Sequence, residues 1–329
     1  MSLKVEVVKD IFRFVYYYPF RYLVGLLPFS LSYRLIKALG SIGFKIDKKK
    51  EFAYSKEVKR LFPNIPDEEV RNIAKETLLN FLQNEIETLM FPNINKDNID
   101  LFIEYVGLEN LDIALKQGCG VILLFAHFGA NQMVMPAIGY KGYKMSQLGA
   151  PATVWNDKDD VSYIKRKNME IKWRHEQTLP VTHINVFGSL KEAFLCLKRN
   201  EILGVAIDGG GGKDWVEVEF FDKRALYSTG AIDIALRTNA VILPVFMVRG
   251  HNSRHTMIIE QPLVCPEGAD KTETITNYTA AFVSRLESYV AKYPWHYMYY
   301  LAWRSKIALN GGDVPYFKKE DTLLAKQKG

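Results

Sequence analysis

Cysteine is scarce in this sequence. The three residues among 329, Cys119, Cys196 and Cys265, lie far apart, show no metal-ligand spacing and leave one odd, which excludes a disulfide framework and fits a reducing, cytoplasmic environment. A clean apolar run is missing too. The opening DIFRFVYYYPFRYLVGLLPFSLSYRLIKALGSIGF is interrupted by Arg13, Pro19, Arg21, Pro28 and Arg34 before about 20 apolar residues accumulate, which speaks against a simple transmembrane span. It does not read as a signal peptide either, because Arg13 falls where the apolar centre would begin and no small-residue cleavage site follows. From residue 63 onward there is no internal repeat and no low-complexity linker, so that part reads as one domain. Disorder is excluded by a composition that is 48% hydrophobic and 13% aromatic. Net positive charge is absent from most of the chain. The net charge is +6, but residues 1–60 carry 13 Lys/Arg against 5 Asp/Glu, a balance of +8 that leaves −2 for the rest. Nucleic acid is therefore a poor partner, since the basicity is confined to the aromatic-rich N-terminus and no binding motif accompanies it.

What is present begins with that N-terminus. Tyr16, Tyr17, Tyr18 and Tyr22 suit headgroup depth, the arginines can reach phosphates, and the following KIDKKKEFAYSKEVKR carries seven basic residues against three acidic ones. An anionic leaflet would attract it. We read residues 1–60 as a membrane-associated helical segment, the alternative being a core helical hairpin with a solvated basic face.

Beyond it, helical and strand patterns alternate. After Pro66 the segment DEEVRNIAKETLLNFLQNEIETLM puts Val70, Ile73, Ala74, Leu78, Phe81, Leu82, Ile86 and Leu89 at helical spacing. A shorter helix over Leu108–Gln117 ends at Gly118, and the strand Val121–Ala126 follows, its lack of polar alternation implying burial on both faces. A helix starts near Asn131. LKEAFLCLKRN, headed by Ser189, forms another before the strand ILGVAI. VEVEFF is a strand, STGAIDIALRTN a helix stopping at Asn239, and VILPVFMV a buried strand that returns through GHNSRH as TMIIEQPLV. A long helix over Glu273–Tyr293 and the aromatic PWHYMYYLAWR close the chain. The pattern predicts an α/β fold, a mixed, mainly parallel sheet flanked by helices, as the domain over 61–329.

Two residues stand at the C-terminal ends of buried strands, His127 and Asp208. In open α/β sheets ligands collect at that edge. Helix N-termini there offer backbone N–H groups, so Gly129–Asn131 and Ser228–Gly230, Thr229 included, are candidates to hold an anion or a developing oxyanion. A lone histidine is as often structural as catalytic, but its position makes His127 the best candidate for a base.

Taken in order, FPNIPDEEVRNIAKETLLNFLQNEIETL, GCGVILLFAHFGANQM, LKRNEILGVAIDGGGG, VEVEFFDKRALYSTGAIDIALRTNAVILPVFMV and PWHYMYYLAWR resemble the bacterial lipid A late acyltransferase family, a branch of the lysophospholipid acyltransferases, over nearly the whole chain. The resemblance implies a membrane-associated enzyme at the cytoplasmic face of the inner membrane. It would move a fatty acyl chain from an acyl carrier protein or coenzyme A to a lipid hydroxyl, with no metal and no cofactor beyond that cosubstrate. The family motif is a histidine followed after four residues by an acidic residue, and His127 falls in the histidine's place. An alcohol is a poor nucleophile at pH 7, so a positioned imidazole is the group this chemistry needs.

The sequence departs from the motif at Gln132, which stands where the acid is expected. Gln can fix a histidine tautomer but cannot stabilise an imidazolium with charge. Three readings stay open: Asp208, or Asp214 or Asp222, supplies the charge from another loop; Gln132 suffices for a slower reaction; or the protein is a non-catalytic lipid-binding relative. A hydrolase is a further alternative. GGGGKDW does not make a nucleotide-triphosphate loop, because Ile207 stands where the first glycine is required and Asp214 replaces the Ser/Thr. His251 and His255 bracket a turn rather than share a helix face, which suits a hairpin tip better than a metal site. In IKRKNMEIKWRH, Arg166, Lys167 and Arg174 are candidates for a substrate phosphate, against a solvated helix face.

Overall fold

The computed structural model describes residues 3–155, 161–210, 212–250, 254–264, 270–309 and 314–318. Cys265 and His251 lie outside the described residues, as do residues 252 and 253 of the expected hairpin.

The aliphatic runs become the centre of a seven-stranded sheet because each of them can be covered on both faces. In chain order the strands are β1 (Ile103–Val106), β2 (Val121–Phe125), β3 (Met145–Gly149), β4 (Thr182–Asn185), β5 (Ile202–Ala206), β6 (Trp215–Phe220), β7 (Lys223–Ser228), β8 (Val241–Val248) and β9 (His255–Ile259). The main sheet runs β1-β9-β8-β2-β5-β3-β4, while β6 and β7 pair separately as an antiparallel hairpin. Every pairing in the main sheet is parallel except β8 with β9. All five residues of β2 are buried. Ile122 and Leu124 pack into one core, with Ile232 and Phe282 from the helices Gly230–Thr238 and Lys271–Lys292. Val121, Leu123 and Phe125 pack into the other, with Leu111 and Ala137 from Leu108–Leu115 and Val134–Gly139. Alternate side chains point to opposite faces of a strand, and here both faces are apolar. The fold is the expected mixed, mainly parallel α/β sheet flanked by helices.

The N-terminal residues form the helices Leu3–Val15, Arg21–Leu26, Phe29–Ile46 and Lys48–Leu61. Pro19 has no N–H to donate into an α-helical ladder, and the turn carrying it, Tyr16–Phe20, widens to a π-helix. Val24, Tyr33 and Ile36 bury against Ile86 and Met90 of the helix Asp67–Met90, and Phe44 and Tyr54 against its Ala74 and Leu78. The helices Arg21–Leu26, Phe29–Ile46 and Lys48–Leu61 thus share a core with the rest of the chain. Among the described residues no helix is long and apolar enough to cross a membrane.

Candidate active site

Strand register brings the two flagged residues together. In the parallel pairing of β2 with β5, Phe125 stands opposite Ala206. His127 lies two residues past Phe125 and Asp208 two past Ala206, so equal overhangs carry both side chains to the same spot. His127 Nδ1 donates to Asp208 Oδ1 at 2.7 Å, and the His127 backbone N–H donates to Oδ2 at 2.9 Å. Asp208 is fully buried, whereas the His127 side chain is 38% exposed. With Nδ1 engaged, Nε2 is the nitrogen left for chemistry.

The aromatic stretch near the C-terminus, to which the sequence reading gave no role, surrounds this pair. The Tyr300 ring stacks on His127 with centroids 4.3 Å apart and planes 2° from parallel. Tyr297 donates its hydroxyl to Asp208 Oδ2 at 3.0 Å. The Asp208 carbonyl accepts from the Tyr300 hydroxyl and, at 2.6 Å, from the fully buried Arg304. Burial first, and the Asp208 charge second, push both phenols well above their ordinary pKa, so they serve as donors. Residues 297, 300 and 304 sit at i, i+3 and i+7, one helical face, and that spacing of hydroxyls and a cation was the signal available in the sequence.

The loop after His127 is fastened from three directions. Gly129 N–H donates to the His296 carbonyl at 3.1 Å, Ala130 N–H to the Met247 carbonyl at 3.1 Å, and Asn84 Nδ2 to the Gly129 carbonyl at 3.1 Å. Gly129 holds φ +61°, and a Cβ there would lie 2.0 Å from the Met247 oxygen, so only glycine fits. Its N–H is committed to His296 and is not offered to an anion. Asn131 and Gln132 open the short 3-10 turn Asn131–Met133 and line the cavity described below. Gln132 Oε1 accepts the Thr88 hydroxyl. The carboxylate against His127 therefore comes from Asp208, 81 residues along the chain, and not from position 132.

Asn84 is itself held by a buried charge cluster. Arg249 donates to Asn84 Oδ1, to Asn80 Oδ1 at 2.7 Å, and to both oxygens of Glu87, which also accepts from Tyr33 and from His255 Nε2, the latter at 2.9 Å. Burial raises the Glu87 pKa, but Arg249 and His255 outweigh it and hold the carboxyl down at about 2. His255 is no exposed hairpin tip. It is fully buried at the start of β9, where Glu87 occupies its Nε2.

A cavity of about 1530 Å³ opens at this edge of the sheet, with His127, Met135, Leu148, Phe194, Val205 and Ile234 among its walls. Ser228 and Thr229 line it at the start of the helix Gly230–Thr238. From the helix Tyr163–Glu176, Lys165 reaches the cavity and Arg166 does not; the Arg166 Nε donates instead to the Val161 carbonyl at 3.2 Å. Glu176, also on the wall, has its carboxyl pushed up to about 7 by burial. Among the described residues no three His, Cys, Asp or Glu side chains converge as metal ligands.

Comparison with known proteins gives the family of the chain. Residues 6–304 match the family described as bacterial lipid A biosynthesis acyltransferase. The lipid A biosynthesis lauroyltransferase of Escherichia coli (strain K12) is 23% identical over 286 residues, covering 84% of this chain and 86% of that protein. Among solved structures, the 1-acyl-sn-glycerophosphate acyltransferase of Thermotoga maritima matches with a TM-score of 0.34 and 17% identity, over 77% of this chain and 97% of its own. The family match spans almost the whole chain, and the chain belongs to the bacterial lipid A biosynthesis acyltransferase family.

Proposed function

We propose that the protein is an O-acyltransferase that moves a fatty acyl chain from the thioester of an acyl carrier protein or coenzyme A to a hydroxyl of a lipid or glycolipid acceptor, with His127 as general base. The observation that carries this reading is the 2.7 Å contact of His127 Nδ1 with a buried Asp208 on the wall of a large, mostly apolar cavity. His127 Nε2 takes the acceptor's proton as its oxygen attacks the thioester carbonyl, while Asp208 keeps the proton on Nδ1 and compensates the imidazolium charge. The tetrahedral oxyanion then collapses, the C–S bond breaks, and His127 returns the proton to the departing thiolate, leaving ester and thiol. Asn131 and Gln132, which line the cavity with His127, are the side-chain donors assigned to the oxyanion. Ser228 and Lys165 are suited to a phosphate of donor or acceptor at the cavity rim, whereas the N–H and the hydroxyl of Thr229 both donate to the Asp214 carbonyl, at 3.1 and 3.3 Å.

The same reading assigns the protein to the cytoplasmic face of the inner membrane. Its support is the row of exposed apolar side chains on the N-terminal helices, Ile11, Phe12, Leu23, Leu26, Ile42 and Phe52, among the basic residues of the same segment. The test of function is acyl transfer to lysophospholipid and lipid A precursors, followed by mass spectrometry, with His127→Ala as the control. Transfer by the wild type that falls about 10² to 10⁴-fold in the variant, with the fold intact, is expected. Full transfer by His127→Ala refutes the mechanism, and no turnover with either donor class favours the lipid-binding alternative.

A further inference from the structure

Asp208 is a fully buried carboxylate, and its hydrogen-bond shell does not end at Tyr297. The Tyr297 hydroxyl lies 3.0 Å from that of Tyr316, and the Tyr316 hydroxyl is bonded in turn to that of Tyr227. All three rings are buried, and none of them lines the substrate cavity. Each phenol has a single proton, which fixes the direction of the chain. Tyr297 gives its proton to Asp208 Oδ2, so Tyr316 must give its own to Tyr297, and Tyr227 to Tyr316.

Tyr316 reaches this position by an unusual route. It sits in the segment 314–318, past residue 304, where the family match stops. That segment lies along the edge of β7: Leu226 N–H donates to the Tyr316 carbonyl at 2.9 Å, Lys318 N–H donates to the Arg224 carbonyl at 3.1 Å, and Ala225 bridges Phe317. Arg304, which also donates to the Asp208 carbonyl, donates to the Val314 carbonyl at 2.9 Å and ties the segment to the site.

We infer that the C-terminal segment completes the catalytic machinery, and that Tyr227, Tyr316 and Tyr297 form a one-way hydrogen-bond relay whose task is to hold charge on Asp208 and so set the basicity of His127. The inference rests on the proposed base role of His127. Tyr297, Tyr316 and Tyr227 are positioning residues, since each acts through Asp208. The relay favours the state in which Asp208 is uncompensated, with His127 neutral, over the state in which the imidazolium already balances it. Weakening it makes the pair take up a proton more readily, and less free base remains at neutral pH. Tyr300, Arg304 and the His127 backbone N–H also face Asp208 and are unchanged in each variant considered, so the hydroxyl removed is the variable.

The experiment is the pH dependence of kcat/KM for Tyr297→Phe, Tyr316→Phe and Tyr227→Phe, in which the rings stay and one oxygen goes. The acid limb is expected to move to higher pH by about one unit in Tyr297→Phe, where a hydrogen bond to the charged group itself is lost. A shift of about 0.3 unit is expected in Tyr316→Phe and less in Tyr227→Phe, because polarisation passes on only about 10–30% per bond. KM should hold, and kcat at neutral pH should fall in the same order. A purely structural role has no reason to produce that order. Tyr316→Phe with the wild-type acid limb overturns the inference, as does a loss of activity confined to KM or one without any pH shift. If Tyr297→Phe fails to fold, Tyr316→Phe still decides the matter. His127→Ala separates the two levels: retained transfer there brings down the base reading itself, whereas lost transfer with unshifted tyrosine variants brings down the relay alone.

Discussion

Asp208→Asn changes one atom and keeps the shape of the side chain, yet it should be nearly as damaging as removing His127. The carboxylate presents two acceptor oxygens to three donors: His127 Nδ1–H at 2.7 Å on Oδ1, and the His127 backbone N–H at 2.9 Å with the Tyr297 hydroxyl at 3.0 Å on Oδ2. An amide has only one acceptor oxygen. Two donors outweigh one, so that oxygen settles at the Oδ2 position and the NH₂ group turns towards Nδ1. The imidazole must then accept at Nδ1 and carry its proton on Nε2, which is the wrong tautomer for a base. The equivalent change in a serine-protease triad costs about 10⁴ in kcat, or about 5.5 kcal/mol at the transition state. A loss of similar size is expected here, measured as ester formed per enzyme at saturating donor and acceptor, with unfolding followed in parallel. Raising the pH should not rescue the variant, because a tautomer defect is not a protonation defect. Asp208→Asn that folds normally and keeps activity within tenfold of wild type would refute the assignment of Asp208 as the partner of His127.

Three further outcomes follow from the same geometry. Gln132→Glu should give no gain, and acyl transfer should stay level or fall, because Asp208 already occupies Nδ1 and a second carboxylate would crowd a satisfied site; an increase of tenfold or more in kcat would show that position 132 was limiting. Glu87, held near 2 against an ordinary 4.5, contributes stability that is complete above pH 4.5 and is lost as the pH falls towards 2, about 3 kcal/mol in all. The urea midpoint should therefore drop between pH 5 and pH 3, and Glu87→Gln, which leaves Arg249 buried without its counter-charge, should be about 3–5 kcal/mol less stable at pH 7 and flatter across that window. Replacing Phe12, Leu26 and Phe52 together by Ser should release the protein from sedimenting anionic vesicles without lowering its unfolding midpoint, since all three side chains are exposed; unchanged sedimentation would assign membrane contact to another surface.

Most of the central sheet was legible because its physics is local. β2, β5 and β8 are runs rich in aliphatic and β-branched residues, and a segment that apolar is stable only when covered on both faces. The helix Asp67–Met90 and the stop of Gly230–Thr238 at Asn239, in a left-handed turn with φ 57°, carry equally local signals. β1, β3 and β4 went unread. IEYV, MSQLG and THIN are four or five residues long, mix polar with apolar side chains, and are strands because a neighbour already in the sheet offers them a hydrogen-bonding edge. The N-terminal helices were read as a surface segment with Tyr16, Tyr17, Tyr18 and Tyr22 at headgroup depth, but only Tyr22 is exposed and Tyr17 is buried against Leu89 and Ile171. Their buried face, Val24, Tyr33 and Ile36, makes sense only opposite Ile86 and Met90.

The site divides along the same line. That His127 and Asp208 each end a buried strand could be read locally, but that they meet depends on β5 lying next to β2, with Phe125 opposite Ala206. Shift that register by one residue and the carboxylate, now about 3.3 Å further along, would leave Nδ1 without its partner while composition and periodicity stayed as they are. The acid expected at position 132 is tied to the histidine by local chain geometry. An acid at position 208 is tied to it by sheet order, and it is held there by Tyr297, Arg304 and the segment around Tyr316, all from the last part of the chain. A histidine supported in this way depends on the whole fold. Damage to the C-terminal segment should therefore reach the rate before it reaches the affinity, because Tyr297, Arg304 and Tyr316 do not line the cavity.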